Sequence, residues 1–295
     1  MKGHAAAVPV ERSRFADYVA LTKPRLNLLV IATAAAGYYL GSDDRLDYLR
    51  FASTVVGTAL VAGGASAFNQ LLERQVDALM HRTRTRPLPD GRLHPHEARG
   101  FAAFLSLIGL AVLAFGANPL AAFVALATLV TYTVAYTPLK LKTSLATVVG
   151  AIPGALPPMI GWAGATGTLS REAWLLFSIV FLWQMPHFLA IAWLFRDDYA
   201  RAGFPMLPVV EPDGYSTARQ VTAYTGALLP VSLTPTAIGL CNDLYLFGAL
   251  ALGLAFLWLA LRFARTRAMQ DARWLFIGSI TYLPLVWILM IATRV

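Results

Sequence analysis

Long apolar stretches alternate with short polar segments along almost the whole chain, and most of the stretches approach the length of one membrane crossing. A bilayer core about 30 Å thick requires roughly 20 residues of helix. The pattern therefore predicts an all-α polytopic membrane bundle with nine transmembrane helices. The predicted spans are residues 26–40, 51–68, 99–116, 119–138, 145–162, 173–195, 222–240, 244–263 and 274–293.

Two longer polar segments, residues 69–98 and 196–221, follow the second and sixth predicted helices. Both are long enough to build a site, and their positions suggest a weak repeat of four helices. The first span is short, so its N-terminal edge is predicted to reach back through "LTKPRL". Since no linker or low-complexity segment is evident, residues 1–295 are interpreted as one domain that begins with a flexible cytoplasmic N-terminus, residues 1–17.

Composition and charge support a membrane protein. Hydrophobic residues make up 57% of the chain and charged residues 14%, a composition that one soluble core of this length cannot hide. The net charge of +8 comes from Lys and Arg concentrated in alternate loops. This positive-inside pattern predicts a cytoplasmic N-terminus and two cytoplasmic site loops, and it argues against nucleic acid as a partner.

The N-terminus and the cysteine content exclude further classes. The opening "MKGHAAAVPVERSRFADY" lacks the apolar core of a removable signal peptide. Cys241 is the single cysteine, so an intrachain disulfide and a cysteine-built metal site are both excluded.

A row of oxygen-bearing side chains ends the second predicted helix. Asn69, Glu73 and Asp77 follow each other at intervals of four residues, which keeps them on one helix face over roughly 12 Å. Amide and carboxylate oxygens suit Mg²⁺, which is normally shared with substrate phosphates. The alternative is a solvated helix end whose acids pair with Arg74 and Arg82. Because polar groups at membrane depth are usually functional, the metal site is favoured.

Basic residues surround this row in the sequence and offer donors to phosphate oxygens. Arg82, Arg84 and Arg86 lie in the following loop, which Pro87 and Asp90-Gly91 keep out of the helix. The alternatives to phosphate binding are that these basic residues only set the orientation of the chain in the membrane, or that they anchor helix ends at the membrane surface. The candidate diphosphate-binding residues are Arg74, Arg82, Arg86, Lys140, Lys142, Lys23 and Arg25.

The sixth predicted helix carries a histidine and a second acidic end. His187 is the only one of five histidines within a predicted span, and helical spacing places it on the face that leads to Asp198. Asp197 points about 100° away and either binds at the rim or is solvated. A hydrogen-bonded structural role is the alternative for His187.

Four segments in order resemble the intramembrane prenyltransferase superfamily, and in particular its branch that farnesylates haem b: "NQLLERQVDALMHRTRTRPL", "YTPLKLKTS", "WQMPHFLAIAW" and "DDYARAGFPMLP". The resemblance covers essentially the whole chain from "LTKPRLN" onward. Two departures from the broader superfamily pattern stand out. Glu73 occupies a position that is usually aspartate, and no acid lies four residues from Asp197 or Asp198, so the second end lacks the acid spacing of the broader superfamily.

The resemblance implies transfer of the farnesyl group of farnesyl diphosphate to a vinyl group of haem b, with water addition, to give haem O and diphosphate. Mg²⁺ is the implied cofactor. The implied catalytic residues are Asn69, Glu73, Asp77 and Asp198, the implied metal ligands are these four and Asp197, and the implied haem-binding residues are His187, Trp183 and Gln184.

The resemblance also implies a cellular location, and two alternative functions remain. The expected location is the bacterial cytoplasmic (inner) membrane, in contact with lipid, with the active site on the cytoplasmic side. Haem A synthase or oxidase assembly proteins are candidate partners. One alternative is a prenyltransferase with a quinone-precursor or chlorophyll-type acceptor. A secondary transporter is the other, although transporters usually place their site near the bilayer midplane.

Overall fold

The structure, a computed structural model, describes residues 13–43 and 45–295, and within these ranges it is helical without strands. A π-helical segment spans Thr131–Tyr136. The helices are α1 Arg14–Leu21, α2 Pro24–Gly41, α3 Tyr48–Asp77, α4 Pro95–Gly116, α5 Pro119–Val130, α6 Thr137–Leu139, α7 Ala146–Ala155, α8 Pro157–Thr166, α9 Arg171–Leu194, α10 Arg196–Arg201, α11 Leu207–Val210, α12 Tyr215–Ala237, α13 Asp243–Thr266 and α14 Met269–Ala292.

Seven helical stretches in the described part of the chain are long and apolar enough to cross a membrane, or up to eight if α1 and α2 together form one bent span. The all-α membrane bundle is thus confirmed. The segment 222–240, expected to be the seventh span, lies mostly in α12, which is not among these stretches. The number nine and the orientation of the bundle stay predictions.

The stretch "LTKPRL", through which the first span is predicted to reach back, contains a break between two helices that can together form one bent span. α1 ends at Leu21, and α2 begins at Pro24 after a bend of 46°. Lys23 between them adopts a left-handed backbone conformation with φ 48°. Proline donates no backbone hydrogen bond and disfavours helical geometry at the residue before it, which accounts for the break at this position.

Only the last residues of the N-terminal segment 1–17, which is predicted to be flexible, are among the described residues. Residues 1–12 lie outside the described residues. The remainder of the 1–17 segment enters α1, and Asp17 is buried there, with its carboxylate accepting a hydrogen bond from Arg92 Nε at 3.0 Å. This contact ties α1 to the loop that follows α3.

The contact between α2 and α8 depends on glycine. A Cβ atom on Gly161 would collide with the backbone carbonyl of Ala34, and one on Gly37 would collide with the carbonyl of Pro158. Small residues allow two membrane helices to approach backbone to backbone. The α2–α8 pair therefore has a fixed separation that no larger side chain fits.

We expect Gly161→Ala to lower the free energy of unfolding by about 1–3 kcal/mol, because overpacking forces the helices apart. The measurement is the midpoint of thermal unfolding in detergent. Gly226→Ala is the matched control, since Gly226 is also helical but a Cβ there meets no atom within 4 Å. That control is expected to be neutral or stabilising by about 0.5–1 kcal/mol. Equal destabilisation by both changes would contradict the close-approach explanation.

Candidate active site

The row of oxygen-bearing side chains is buried at the C-terminal end of α3. Asn69, Glu73 and Asp77 all lie within the helix, and Asp77 has an exposed fraction of 0%. The alternative of a solvated helix end is therefore wrong. Arg74, which that alternative pairs with the acids, donates instead to the Leu71 carbonyl at 2.8 Å.

Each member of the row accepts a hydrogen bond from a basic side chain that belongs to a different segment. The three contacts are Lys23 Nζ to Asn69 Oδ1 at 2.8 Å, Lys140 Nζ to Glu73 Oε1 at 3.1 Å, and Arg86 Nη1 to Asp77 Oδ2 at 2.7 Å. Three basic side chains thus converge on one face of α3, and we call these six residues the α3 site.

Local backbone features place the three basic side chains. Lys23 is the residue at the bend between α1 and α2. Lys140 follows the C-terminal residue of α6, where the helical stretch that contains the π-helical segment ends. Arg86 lies in a tight turn in which the Thr83 hydroxyl donates to the Asp77 carbonyl at 2.8 Å. Each of these side chains is therefore held at an interruption of helical structure.

Two observations describe the electrostatics of the α3 site. Burial alone lowers the pKa of Lys140, but Tyr136 and the Glu73 carboxylate offset that effect, so its pKa lies above the ordinary value and the side chain stays charged. Asp77 Oδ1 is buried and has no hydrogen-bond partner among the described residues. A buried carboxylate oxygen without a partner is costly, which makes this atom a candidate position for a ligand.

The second acidic end, Asp197 and Asp198, is not part of one continuous buried helix face. α9 ends at Leu194 and Phe195 leaves helical geometry before α10 begins, so the predicted continuous face from His187 to Asp198 is interrupted. Asp198 pairs with Arg201, and the Asp197 side chain is 94% exposed.

The two acidic ends do not meet in one ligand cluster. Among residues 13–43 and 45–295, no three His, Cys, Asp or Glu side chains are close enough to hold a metal ion. Asn69 contributes an amide oxygen, so the α3 site itself counts only two acids. The acids of both ends are held by separate basic partners.

The loop after α9 nevertheless packs against the loop after α3. Arg82 lies over the rings of Phe195 and Tyr199, at 5.1 and 5.8 Å from their centroids, and its guanidinium is 3.4 Å from the Tyr199 hydroxyl. Lys140 Nζ lies 4.6 Å from the centroid of Phe204, which is fully buried. These aromatic contacts close the α3 site on one side. They were not predicted from the sequence, although both tyrosine and phenylalanine stand close to the acidic pair.

The structure separates the seven predicted diphosphate-binding residues into those that lie at the α3 site and those that do not. Lys23, Arg86 and Lys140 reach the row on α3, and Arg82 reaches Tyr199 next to it. Arg74 bonds to its own helix, and Arg25 and Lys142 are exposed.

The three predicted haem contacts lie in α9. Trp183 and Gln184 are buried, and their side chains donate to the carbonyls of Ser279 at 2.8 Å and Ala151 at 2.7 Å. His187 is half-buried, and its Nδ1 lies 2.7 Å from the Ser279 hydroxyl. Trp183 and Gln184 therefore join α9 to its neighbours, whereas part of the His187 ring is accessible.

An apolar helical bundle with a buried amide and carboxylate row under three basic side chains is the architecture of an integral membrane prenyltransferase. Residues 30–286 match the UbiA prenyltransferase family, and the chain belongs to that family. It is 48% identical to the protoheme IX farnesyltransferase of Solibacter usitatus (strain Ellin6076) over 94% of this chain and 98% of that protein.

Solved structures agree with this fold. The chain superposes on digeranylgeranylglyceryl phosphate synthase with a TM-score of 0.80 and 16% identity, covering 95% of this chain and 98% of the other. A UbiA homolog from Archaeoglobus fulgidus bound to GPP and Mg²⁺ gives a TM-score of 0.68 and 16% identity, covering 93% and 99%. At these identities the likeness establishes the fold.

Proposed function

We propose that this protein transfers the farnesyl group of farnesyl diphosphate to a vinyl group of haem b, with addition of water, to give haem O and diphosphate. The observation that carries the proposal is the α3 site, in which a buried row of oxygen ligands faces three basic side chains. A diphosphate is the ligand that needs both groups at once. The name of the Solibacter usitatus relative supports farnesyl as the group that is transferred.

The α3 site fits a divalent metal, and Mg²⁺ is the proposed ion. Asn69, Glu73 and Asp77 would hold it, since their oxygens suit a hard cation and Asp77 Oδ1 is buried without a partner. The Archaeoglobus fulgidus homolog, which shares this fold, has Mg²⁺ bound together with GPP. When bound, the ion would neutralise charge on the diphosphate oxygens.

The residues of this chain have defined roles in the proposed reaction. The C1–O bond of farnesyl diphosphate breaks and its electron pair leaves with the diphosphate. Lys23, Arg86 and Lys140 are proposed to stabilise that developing charge, each by exchanging its present oxygen partner for a phosphate oxygen. Tyr199 and Phe204 cover the site and limit the access of water to the allylic cation.

The acceptor completes the proposed reaction. The vinyl π electrons form the new bond to C1, and the resulting carbocation next to the porphyrin takes a hydroxyl group from water, which releases a proton. His187 is the proposed contact for haem. Asp198 is proposed to orient the leaving group through water, and Asp197 at the exposed rim is a weaker candidate.

The proposed location is the inner membrane with the α3 site on the cytoplasmic side. The basic residues of the loop after α3, among them Arg82, Arg84 and Arg86, support this orientation because cytoplasmic loops carry an excess of positive charge.

The test is to incubate purified protein with haem b, farnesyl diphosphate and Mg²⁺ and to analyse the porphyrins by mass spectrometry. The expected product has the mass of haem b plus one farnesyl group and one hydroxyl group. Parallel reactions contain a chelator, or a quinone precursor in place of haem b. Prenylation of the quinone precursor without any haem product would replace this proposal by its nearest alternative.

A further inference from the structure

The His187 imidazole is held by three neighbours. Its ring stacks on Trp183, with centroids 5.1 Å apart, and on Phe276 of α14, with centroids 5.2 Å apart. Its Nδ1 is 2.7 Å from the hydroxyl of Ser279, which is fully buried. A ring restrained in this way has one defined orientation. Because Nδ1 points into the buried contact, the accessible part of the half-buried ring is the opposite edge, which carries Nε2.

The hydrogen bonds of Ser279 determine which nitrogen of His187 carries the proton. The Ser279 hydroxyl donates to the Phe276 carbonyl at 2.6 Å, and a hydroxyl has only one hydrogen. Toward His187 the serine oxygen must therefore act as acceptor, so Nδ1 carries the proton. Nε2 then bears an unshared lone pair, and within the described residues no hydrogen bond reaches it.

This arrangement is the one that prepares histidine for a metal. Histidine ligands normally donate the N–H opposite the metal to a fixed acceptor, which sets the tautomer and the ring orientation. A histidine with a purely structural role is expected to have both ring nitrogens hydrogen-bonded, because an unpaired polar atom at membrane depth is costly. Phe188, whose ring centroid is 5.6 Å from that of His187, adds an exposed apolar surface next to the open edge.

We infer that His187 Nε2 is an axial ligand of the haem iron and that Ser279 is a positioning residue, which holds the tautomer that makes Nε2 the ligand. The inference deepens the proposed function and rests on it for the identity of the porphyrin. The coordinate bond forms by donation of the Nε2 lone pair to iron, with no change of oxidation state.

The test is a titration of the purified wild-type protein and its variants in detergent with ferric haem b, followed by the Soret band and by electron paramagnetic resonance. Wild type is expected to give the spectrum of a histidine-ligated haem. His187→Ala should lose that spectrum, and added imidazole should restore it. Ser279→Ala should weaken haem affinity about tenfold, as expected for loss of a partner that orients a metal ligand, whereas Ser279→Thr, which keeps the hydroxyl, should stay close to wild type.

Ser232→Ala is the matched control. Ser232 is also fully buried, and its hydroxyl donates to the carbonyl three residues earlier in its helix, at 2.8 Å, as that of Ser279 does. Thermal unfolding of every variant separates loss of haem from loss of fold. An unchanged spectrum in folded His187→Ala, or equal effects of Ser279→Ala and Ser232→Ala on affinity, would overturn the inference.

The outcomes also separate this inference from the proposed function. If wild type forms farnesylated haem and the His187→Ala variant keeps the wild-type haem spectrum, His187 is not the iron ligand and the proposed reaction still stands. If haem binds through His187 but no farnesylated product forms, the role of His187 as iron ligand is supported and the proposed reaction is contradicted. A wild-type protein that binds no haem at all would overturn the ligand directly.

Discussion

Replacing Asp77 by asparagine is expected to lower kcat for farnesyl transfer by about 1,000-fold, the upper range seen when one charge-stabilising group is removed from an active site. Asparagine keeps the size of the side chain but removes its charge. It leaves Arg86 without its 2.7 Å ion pair and replaces the buried, unpartnered Oδ1 that the proposed Mg²⁺ would use. The measurement is the rate of product formation under saturating farnesyl diphosphate and haem b.

The control for this prediction is Asp271→Asn. Asp271 is another buried carboxylate near the end of a membrane helix, and it is paired with Arg262 Nε at the same distance of 2.7 Å. It lies outside the α3 site, so its replacement is expected to change stability and to leave turnover within about threefold, which is about 0.7 kcal/mol of activation free energy. If Asp77→Asn also stays within threefold, Asp77 is not a ligand in the reaction.

The second large effect is expected from Arg86→Gln, which should raise KM for farnesyl diphosphate by about 10- to 100-fold, the range that corresponds to a charged hydrogen bond of about 1.5–3 kcal/mol. Glutamine can still donate to Asp77, so the carboxylate keeps a neutral partner. The fork of donors that a guanidinium offers to phosphate oxygens is lost. The KM for haem b should change little, because Arg86 lies in the loop after α3, whereas the proposed haem contact His187 lies in α9.

Arg262→Gln provides the comparison, because it makes the same chemical change in the arginine–aspartate pair of Arg262 and Asp271, which lies outside the α3 site. Initial rates are measured over a range of farnesyl diphosphate concentrations, with thermal unfolding as a check on folding. Equal increases in KM for the two variants would show that general charge, and not the position of Arg86 at the α3 site, determines the affinity for diphosphate.

Local patterns were sufficient for several features of this protein. The length of the apolar stretches indicated a membrane bundle, because hydrocarbon thickness sets the length of a helix. The spacing of Asn69, Glu73 and Asp77 placed them on one face, because helical periodicity is a property of the backbone itself.

The choice among the basic residues was beyond sequence reasoning. Seven candidates were equivalent by charge and neighbourhood, yet only three reach the row on α3. Lys23 and Lys140 are 46 and 67 residues away from the partners they contact, so their positions depend on how the helices pack. Extrapolation of a helical face failed at Phe195, where α9 ends and the chain leaves helical geometry before the second acidic end.

Sequence alone determined the elements whose cause is local: most of the apolar helices, the row of oxygen-bearing side chains at the end of α3 and the excess of basic residues in the loop after it. Tertiary structure decided every feature that requires two distant segments to meet. The contact between His187 and Ser279 joins residues 92 positions apart, and it determines the tautomer of the imidazole. The physical reason is that a hydrogen bond depends on distance and direction in space, and these are set by the packing of α9 against α14.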